Sequence, residues 1–139
     1  MSEGMSDHSR EVLKGLRQTL LRLHKMLLDL ERVGYERARG PIGNSYEFLQ
    51  LALKDPWFDW LHRLSELIVQ IDESLDAREG TVTLTDDDAK ALVARARALL
   101  SPSETGSEFQ KNYFLAMQQS PDVVLLHSEL MRTLGREEG

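Results

Sequence analysis

Hydrophobic residues recur at alternating spacings of three and four along two long segments of the chain. Such a heptad-like period predicts amphipathic α-helices over residues 10–37 and 56–76. Two helices with matching stripes, joined by a short helical corner, are predicted to pack antiparallel. The first stripe is Leu13, Leu16, Leu20, Leu23, Leu27 and Leu30, and the second is Trp57, Leu61, Leu64, Ile68, Ile71 and Leu75.

The corner between these helices is marked by chain-breaking residues. Residues 40–43 (Gly-Pro-Ile-Gly) predict the end of the first helix. Asn44, with Glu47 three positions later, predicts a helix start, and Asp55-Pro56 predicts the next one. A short helix is therefore expected over residues 45–54. Its predicted packing face is Phe48, Leu49, Ala52 and Leu53.

The second half of the chain predicts three further helices. A linker is expected at 77–83, and then a helix over 86–100, capped by Thr85 and begun by three aspartates. A Thr105–Glu108 capping box predicts a helix over 107–119. The last helix is predicted over 121–134. No alternating strand pattern competes, so we expect one all-α domain over residues 1–139, a helical bundle of three long and two or three short helices, with frayed tails at 1–8 and 135–139.

Composition narrows the classes of function. The 139 residues carry a net charge of −6, which disfavours general binding to nucleic acid or to anionic membranes. The absence of cysteine excludes disulfides, thiolate catalysis and sulfur-ligated metal sites. No apolar run reaches the ~18 residues of a membrane span, and the polar start does not resemble a signal peptide. We therefore expect a soluble, cytoplasmic protein.

Three histidines lie beside apolar stripes on different predicted helices, and two of them define a candidate site. His62 has Asp59 three residues before it and Glu66 four residues after it, a spacing that places all three side chains on one helical face. His24 on the antiparallel first helix could approach them. Helical bundles build metal sites from such side chains. Di-iron proteins, however, use two Glu-x-x-His pairs and two further glutamates, and this chain has one Asp-x-x-His and no second pair. A histidine beside an apolar stripe is more often half-buried and hydrogen-bonded.

The densest aromatic cluster is Trp57, Phe58 and Trp60, and three rings in four residues cannot all face one core. These rings are therefore candidates for an interface with a partner, although the preceding short helix could also cover them. No Gly-x-Ser-x-Gly motif or phosphate-binding glycine loop is present, so the sequence predicts no catalytic residue. The charged residues of the first helix, including Arg10, Arg17 and Glu31, are predicted to lie on a solvated face.

The segment containing Leu23-His24-Lys25 and Tyr35-Glu36, followed by Asp55-Pro56-x-Phe58-x-Trp60-Leu61, resembles a family of small bacterial all-helical proteins. The resemblance covers residues 20–73. It implies a soluble bacterial helical domain and no particular chemistry, so no residue receives a role from it.

Two functions follow as hypotheses. The first is a non-enzymatic module that acts through protein–protein contact, with itself or another protein, because apolar and aromatic residues exceed what one seam requires. The second is a small-ligand or metal-binding bundle centred on His24, His62 and Glu66, with Glu31 or Asp72 nearby.

Overall fold

The structure is a computed structural model that describes residues 4–76 and 84–138, with side chains through residue 135. It contains six α-helices and one 3₁₀-helix, and no strand occurs within these residues, which confirms the predicted all-α bundle. The predicted linker at 77–83 falls outside the described part. The elements are α1 (Asp7–Arg39), α2 (Ser45–Lys54), the 3₁₀-helix (Pro56–Leu61), α3 (His62–Asp76), α4 (Asp86–Leu99), α5 (Glu108–Gln119) and α6 (Pro121–Glu138).

The leucine stripe of α1 forms the centre of the core. Five of its leucines are completely buried, and they pack with the buried faces of the other long helices. Burying a leucine side chain stabilises the fold by about 1.5–3 kcal/mol, so this one helix contributes a large share of the hydrophobic stabilisation. The five residues are Leu13, Leu16, Leu20, Leu23 and Leu27.

A row of polar contacts shows that α1 and α3 run antiparallel, as predicted. Arg10 donates to the carbonyl of Leu75 at 3.1 Å, near the start of α1 and the end of α3. Arg17 donates to Asp72 at 2.7 Å one heptad later. These arginines were predicted to be solvated. Instead they cross the α1–α3 boundary beside the leucine stripe, and they fix the register of the two helices.

Helices α4 and α6 complete the four-helix arrangement. Asp86 at the start of α4 accepts a hydrogen bond from the backbone N–H of Ser6, so α1 and α4 begin at the same end. Arg97 near the end of α4 donates to the carbonyl of Leu134 in α6. Glu129, also on α6, lies 3.4 Å from Arg22 of α1. Because Asp86 lies level with Ser6, Arg97 lies level with about residue 17 of α1. From Glu129 beside Arg22 to Leu134 beside Arg97, α6 therefore runs back towards the start of α1. Helices α1 and α4 run in one direction, and α3 and α6 run in the other.

The segment predicted as one helix over 56–76 is two elements, because its first six residues form a 3₁₀-helix. The Asp55 carboxylate accepts from the N–H of Trp57, and its carbonyl accepts from Phe58, which tightens the first turn. Residues three apart share a face in a 3₁₀-helix. Phe58 therefore joins Leu61 in the core, and Trp57, predicted to share the stripe with Leu61, moves to the half-buried edge.

Three helix ends differ from the predicted ones. Ser6 caps α1 by accepting from the N–H of Ser9, so the helix begins at Asp7, inside the predicted frayed tail. Helix α6 continues to Glu138, beyond its predicted end at 134. Helix α5 is capped by Ser107 with Gln110 rather than by Thr105 with Glu108, because Ser107 is the residue whose hydroxyl accepts the N–H three positions later.

We predict that Leu23→Ala lowers the free energy of unfolding by about 2–5 kcal/mol, since it leaves a cavity at the centre of the core. Ile68→Ala on α3 should fall in the same range. Leu21→Ala is the matched control, because this leucine lies two residues away and is 49% exposed. Urea denaturation followed by circular dichroism measures all three. A loss below about 0.5 kcal/mol for Leu23→Ala would contradict the central position of the α1 stripe.

Candidate functional site

The structure brings His24 and His62 to the same part of the α1–α3 boundary but gives them different partners. His24 Nε2 lies 2.9 Å from the hydroxyl of Ser65. His62 Nε2 lies 3.2 Å from the carbonyl of Ala52, and a carbonyl only accepts, so this nitrogen carries a proton. Each ring therefore holds a neighbouring element in place, His24 between α1 and α3, and His62 between α3 and the end of α2.

Asp59 and Glu66 are not gathered with these histidines. The Asp59 carboxylate is 4.0 Å from His62 Nδ1, a distance at the limit of an ion pair. Asp59 lines a shallow groove of about 440 Å³ with Trp60, and Glu66 lines an adjoining groove of about 330 Å³. Arg63 lines both grooves. The two carboxylates therefore line adjoining grooves on the α3–α5 side of the bundle, whereas the His62 ring is turned towards the carbonyl of Ala52.

No metal centre is assembled within the part of the chain that the structure describes. Across residues 4–76 and 84–135, no three histidine, aspartate or glutamate side chains are placed where they could share one metal ion. The four residues singled out by the sequence are divided between the α1–α3 boundary and the open grooves. Among the described residues, the geometry gives a metal ion at most a partial set of ligands. It therefore does not favour the metal-binding hypothesis.

The electrostatics of the α1–α3 boundary favour neutral groups. Burial lowers the pKa of His24, and the proximity of His62 lowers it further. One heptad further along α1, burial raises the pKa of Glu31, while the indole N–H groups of Trp57 and Trp60 act in the opposite direction. Trp57 Nε1 is buried, and among the described residues it has no hydrogen-bond partner of ordinary geometry.

Two of the three aromatic interface candidates are core residues. Phe58 is completely buried and Trp60 nearly so, which corrects their prediction as interface anchors. Phe58 packs against Phe48 of α2, with ring centroids 6.0 Å apart, so the short helix covers it. Trp60 packs against Phe109 of α5 at 5.3 Å. Trp57 stays half-buried, in edge contact with Tyr35 and beneath the guanidinium of Arg39.

A tyrosine–histidine pair joins α5 and α6. The hydroxyl of Tyr113 lies 2.8 Å from His127 Nδ1, and the two rings meet edge to face. Burial raises the pKa of Tyr113 far above its usual range and lowers the pKa of His127. A neutral imidazole hydrogen-bonded to a neutral phenol fixes the two helices together.

A further groove, of about 430 Å³, separates the starts of α1 and α4. Its walls include Ser6, which caps α1, Ser9 of α1 and Lys90 of α4. Asp86 at its mouth accepts from the Ser6 backbone N–H, and that hydrogen bond is the main reason for its lowered pKa. The carboxylate thus already occupies the positive end of α1, where a bound anion would otherwise be stabilised.

The most distinctive surface is on α2, which contains no fully buried residue although it is rich in apolar side chains. Tyr46, Leu49 and Leu53 are 70%, 52% and 56% exposed. Positions three and seven apart lie on one helical face, so the three side chains form a continuous apolar stripe in solvent. We call it the α2 stripe. The sequence predicted that Leu49 and Leu53 pack inward.

The inner face of α2 explains why the stripe points outward. Phe48 packs on Phe58 and lies under the guanidinium of Arg32, whose Cζ is 4.6 Å from the ring centroid. Leu51 packs against the core from the same side. Asn44 caps the helix, and Glu47 accepts from the N–H of Gly43. The helix is thus fixed in orientation by its ends and by one face.

No family model, curated protein or solved structure matches the chain. Within the described residues, no helix is both long and apolar enough to cross a membrane.

The surface that sequence reasoning missed is the α2 stripe, and one feature of the sequence indicates it. A helix of ten residues with six apolar side chains carries more apolar side chains than one helical face can bury. The heptad spacing of Arg10, Arg17, His24 and Glu31 likewise indicates a second, polar seam along α1.

We predict that the fold loses stability as the pH falls below about 6.5, the ordinary pKa of histidine in the unfolded chain. His24 and His127 have lowered pKa values when folded, so the unfolded chain takes up protons first. The loss begins near pH 6.5 and is complete once the pH is below the folded values. Each ring should contribute less than about 1 kcal/mol, because both keep contact with water.

The measurement is urea denaturation at pH 7.5 and pH 5.5 for the wild type and for His24→Gln. The variant should show a smaller difference between the two pH values. Glu31 acts with the opposite sign, because its raised pKa relieves the cost of burial as the pH falls towards 4.5. Measurements are therefore kept at or above pH 5.5. An equal difference in wild type and variant would show that His24 does not contribute.

Proposed function

We propose that this protein is a non-enzymatic interaction module, and that it recognises a protein partner through the α2 stripe. The observation that carries the proposal is the exposure of Tyr46, Leu49 and Leu53 on one face of a rigidly held helix. Contiguous exposed apolar patches on globular domains are commonly interaction sites, whereas scattered ones need no explanation.

Among the described residues, the other large exposed apolar side chains are spread over α1, α3, α5 and α6, and they include Val33 on α1 and Leu115 on α5. Leu21 and Val69 each belong to separate helices. Val124 and Leu125 are neighbours in α6 and therefore point about 100° apart around the helix axis. Among the described residues, α2 is the only helix that exposes a tyrosine and two leucines at helical spacing. Tyrosine is among the residue types favoured at the centre of protein interfaces.

Helix α2, which carries the α2 stripe, is also preorganised for binding. Capping by Asn44 and packing of Phe48 hold α2 before any partner arrives. A partner would then not need to order the helix, which removes one cost of association. The proposal includes a cytoplasmic location, in keeping with the lack of cysteine, and a protein rather than nucleic acid as partner, in keeping with the net charge of −6.

We predict that a photo-activated benzoylphenylalanine at position 49 forms covalent adducts with a protein in living cells. The same group at position 21 is the matched control, because Leu21 and Leu49 have nearly equal exposure, 49% and 52%. Adducts are detected by gel electrophoresis and identified by mass spectrometry. Adducts at position 49 no more abundant than at position 21 would overturn the proposal.

A further inference from the structure

We infer that the occupant of the α2 stripe is a second copy of this chain, packed antiparallel on the first about a two-fold axis. The inference rests on the proposed function and names its partner. In an isologous pair the same patch is used twice, so the patch must be complementary to itself in shape and in charge. The α2 stripe meets both conditions.

The apolar positions are self-complementary in an antiparallel pair. Tyr46 and Leu53 lie seven residues apart, so their midpoint falls between Leu49 and Gln50. A two-fold axis through this point places Tyr46 against Leu53 of the second copy and Leu49 beside its own equivalent. A large ring then meets a smaller side chain at each end, and two leucines fill the centre, which is the alternation that close packing favours.

The charges beside the α2 stripe select the antiparallel direction. Glu47 and Lys54 are exposed and lie on the same side of α2, because they are also seven residues apart. Reversing one helix about the axis brings Glu47 of one copy level with Lys54 of the other to within about 3 Å along the helix axis. In a parallel two-fold pair, Glu47 and Lys54 of the two copies would lie on opposite flanks of the interface and would not meet.

Lys54 is available for this contact. It forms no ion pair within the described part of the chain. The neighbouring Arg39 and Asp55 already face each other at 3.7 Å. The surroundings of the α2 stripe are therefore close to neutral, although the whole chain carries −6. Two copies can meet at this face with little of the repulsion that other faces would produce.

The size of the α2 stripe sets the strength of the pair. The three side chains expose roughly 300 Å² per copy, at the lower end of the largest apolar patches on monomers. With its rim, a symmetric pair would bury about 1,000 Å² in total, in the range of transient complexes. We therefore expect a rapidly exchanging dimer with a dissociation constant above about 1 μM.

The test is sedimentation equilibrium of the full chain from 5 μM to 1 mM. The wild type should fit a monomer–dimer equilibrium. Leu49→Glu should raise the dissociation constant at least ten-fold, because two carboxylates would meet at the axis. Leu21→Glu, the matched control, should leave it unchanged. Circular dichroism checks that each variant is folded.

Two further variants test the direction of packing. Lys54→Glu should weaken the dimer about two- to five-fold in an antiparallel pair, where it faces Glu47. In a parallel pair, where residues 47 and 54 of the two copies lie on opposite flanks of the interface, it would change little. Lys90→Glu on α4 is the control for the altered net charge, since Lys90 is exposed and lies outside the α2 stripe.

Disulfide trapping gives an independent readout, because the chain has no cysteine of its own. A mixture of Tyr46→Cys and Leu53→Cys chains should form mixed disulfide dimers under mild oxidation. Either variant alone should form far fewer. Efficient linking of Tyr46→Cys to itself would show a parallel pair and overturn the inferred arrangement.

The outcomes separate this inference from the proposed function. A monomer at every concentration, or a dimer unaffected by Leu49→Glu, overturns the second copy as partner. Photo-adducts at position 49 with a different protein would then leave the interaction module standing with another partner. If position 49 gives no more adducts than position 21, both proposals fall.

Discussion

The burial of the α1 leucine stripe is the interaction on which the rest of the structure depends. Five leucines of this helix are completely buried, and α3, α4 and α6 all pack around it. A seam of identical leucines supplies stabilisation but little register, since a slip of one heptad would bury leucine again. The polar row beside it supplies that register. Arg10, Arg17 and His24 each have a partner on α3 that a shifted helix could not reach.

The same constraint explains the aromatic end of the bundle. Three large rings follow Pro56, and an α-helix would direct them over too wide an arc for one core. The 3₁₀-turn places Phe58 and Leu61 inward together and lets Trp60 reach α5. Helix α2 then closes over Phe58 with Phe48. Once its inner face is committed to this ring, the remaining apolar side chains of α2 can only face outward.

The α2 stripe thus results from how the core is closed, and its exposure is the feature on which the functional proposals depend. The histidines have a structural role in the same packing arrangement. His24 joins α1 to α3, His62 joins α3 to the end of α2, and His127 joins α6 to α5. Each ring makes a single hydrogen bond between elements, which accounts for their positions beside apolar stripes without any bound metal or ligand.

The sequence by itself determined the helices and the antiparallel α1–α3 pair, because apolar periodicity and capping residues such as Asn44 and Thr85 act locally. It did not determine which way α2 faces or where Asp59 points. Leu49 and Leu53 fit an inward face as well as Phe48 and Leu51 do, and only the presence of Phe58 beneath the helix decides between them. Likewise, the spacing of Asp59, His62 and Glu66 predicts neighbouring side chains, but only tertiary contacts direct His62 to the Ala52 carbonyl and leave Asp59 and Glu66 in the grooves beside α5. Both outcomes depend on contacts between segments distant in the chain, which periodicity within one segment cannot specify.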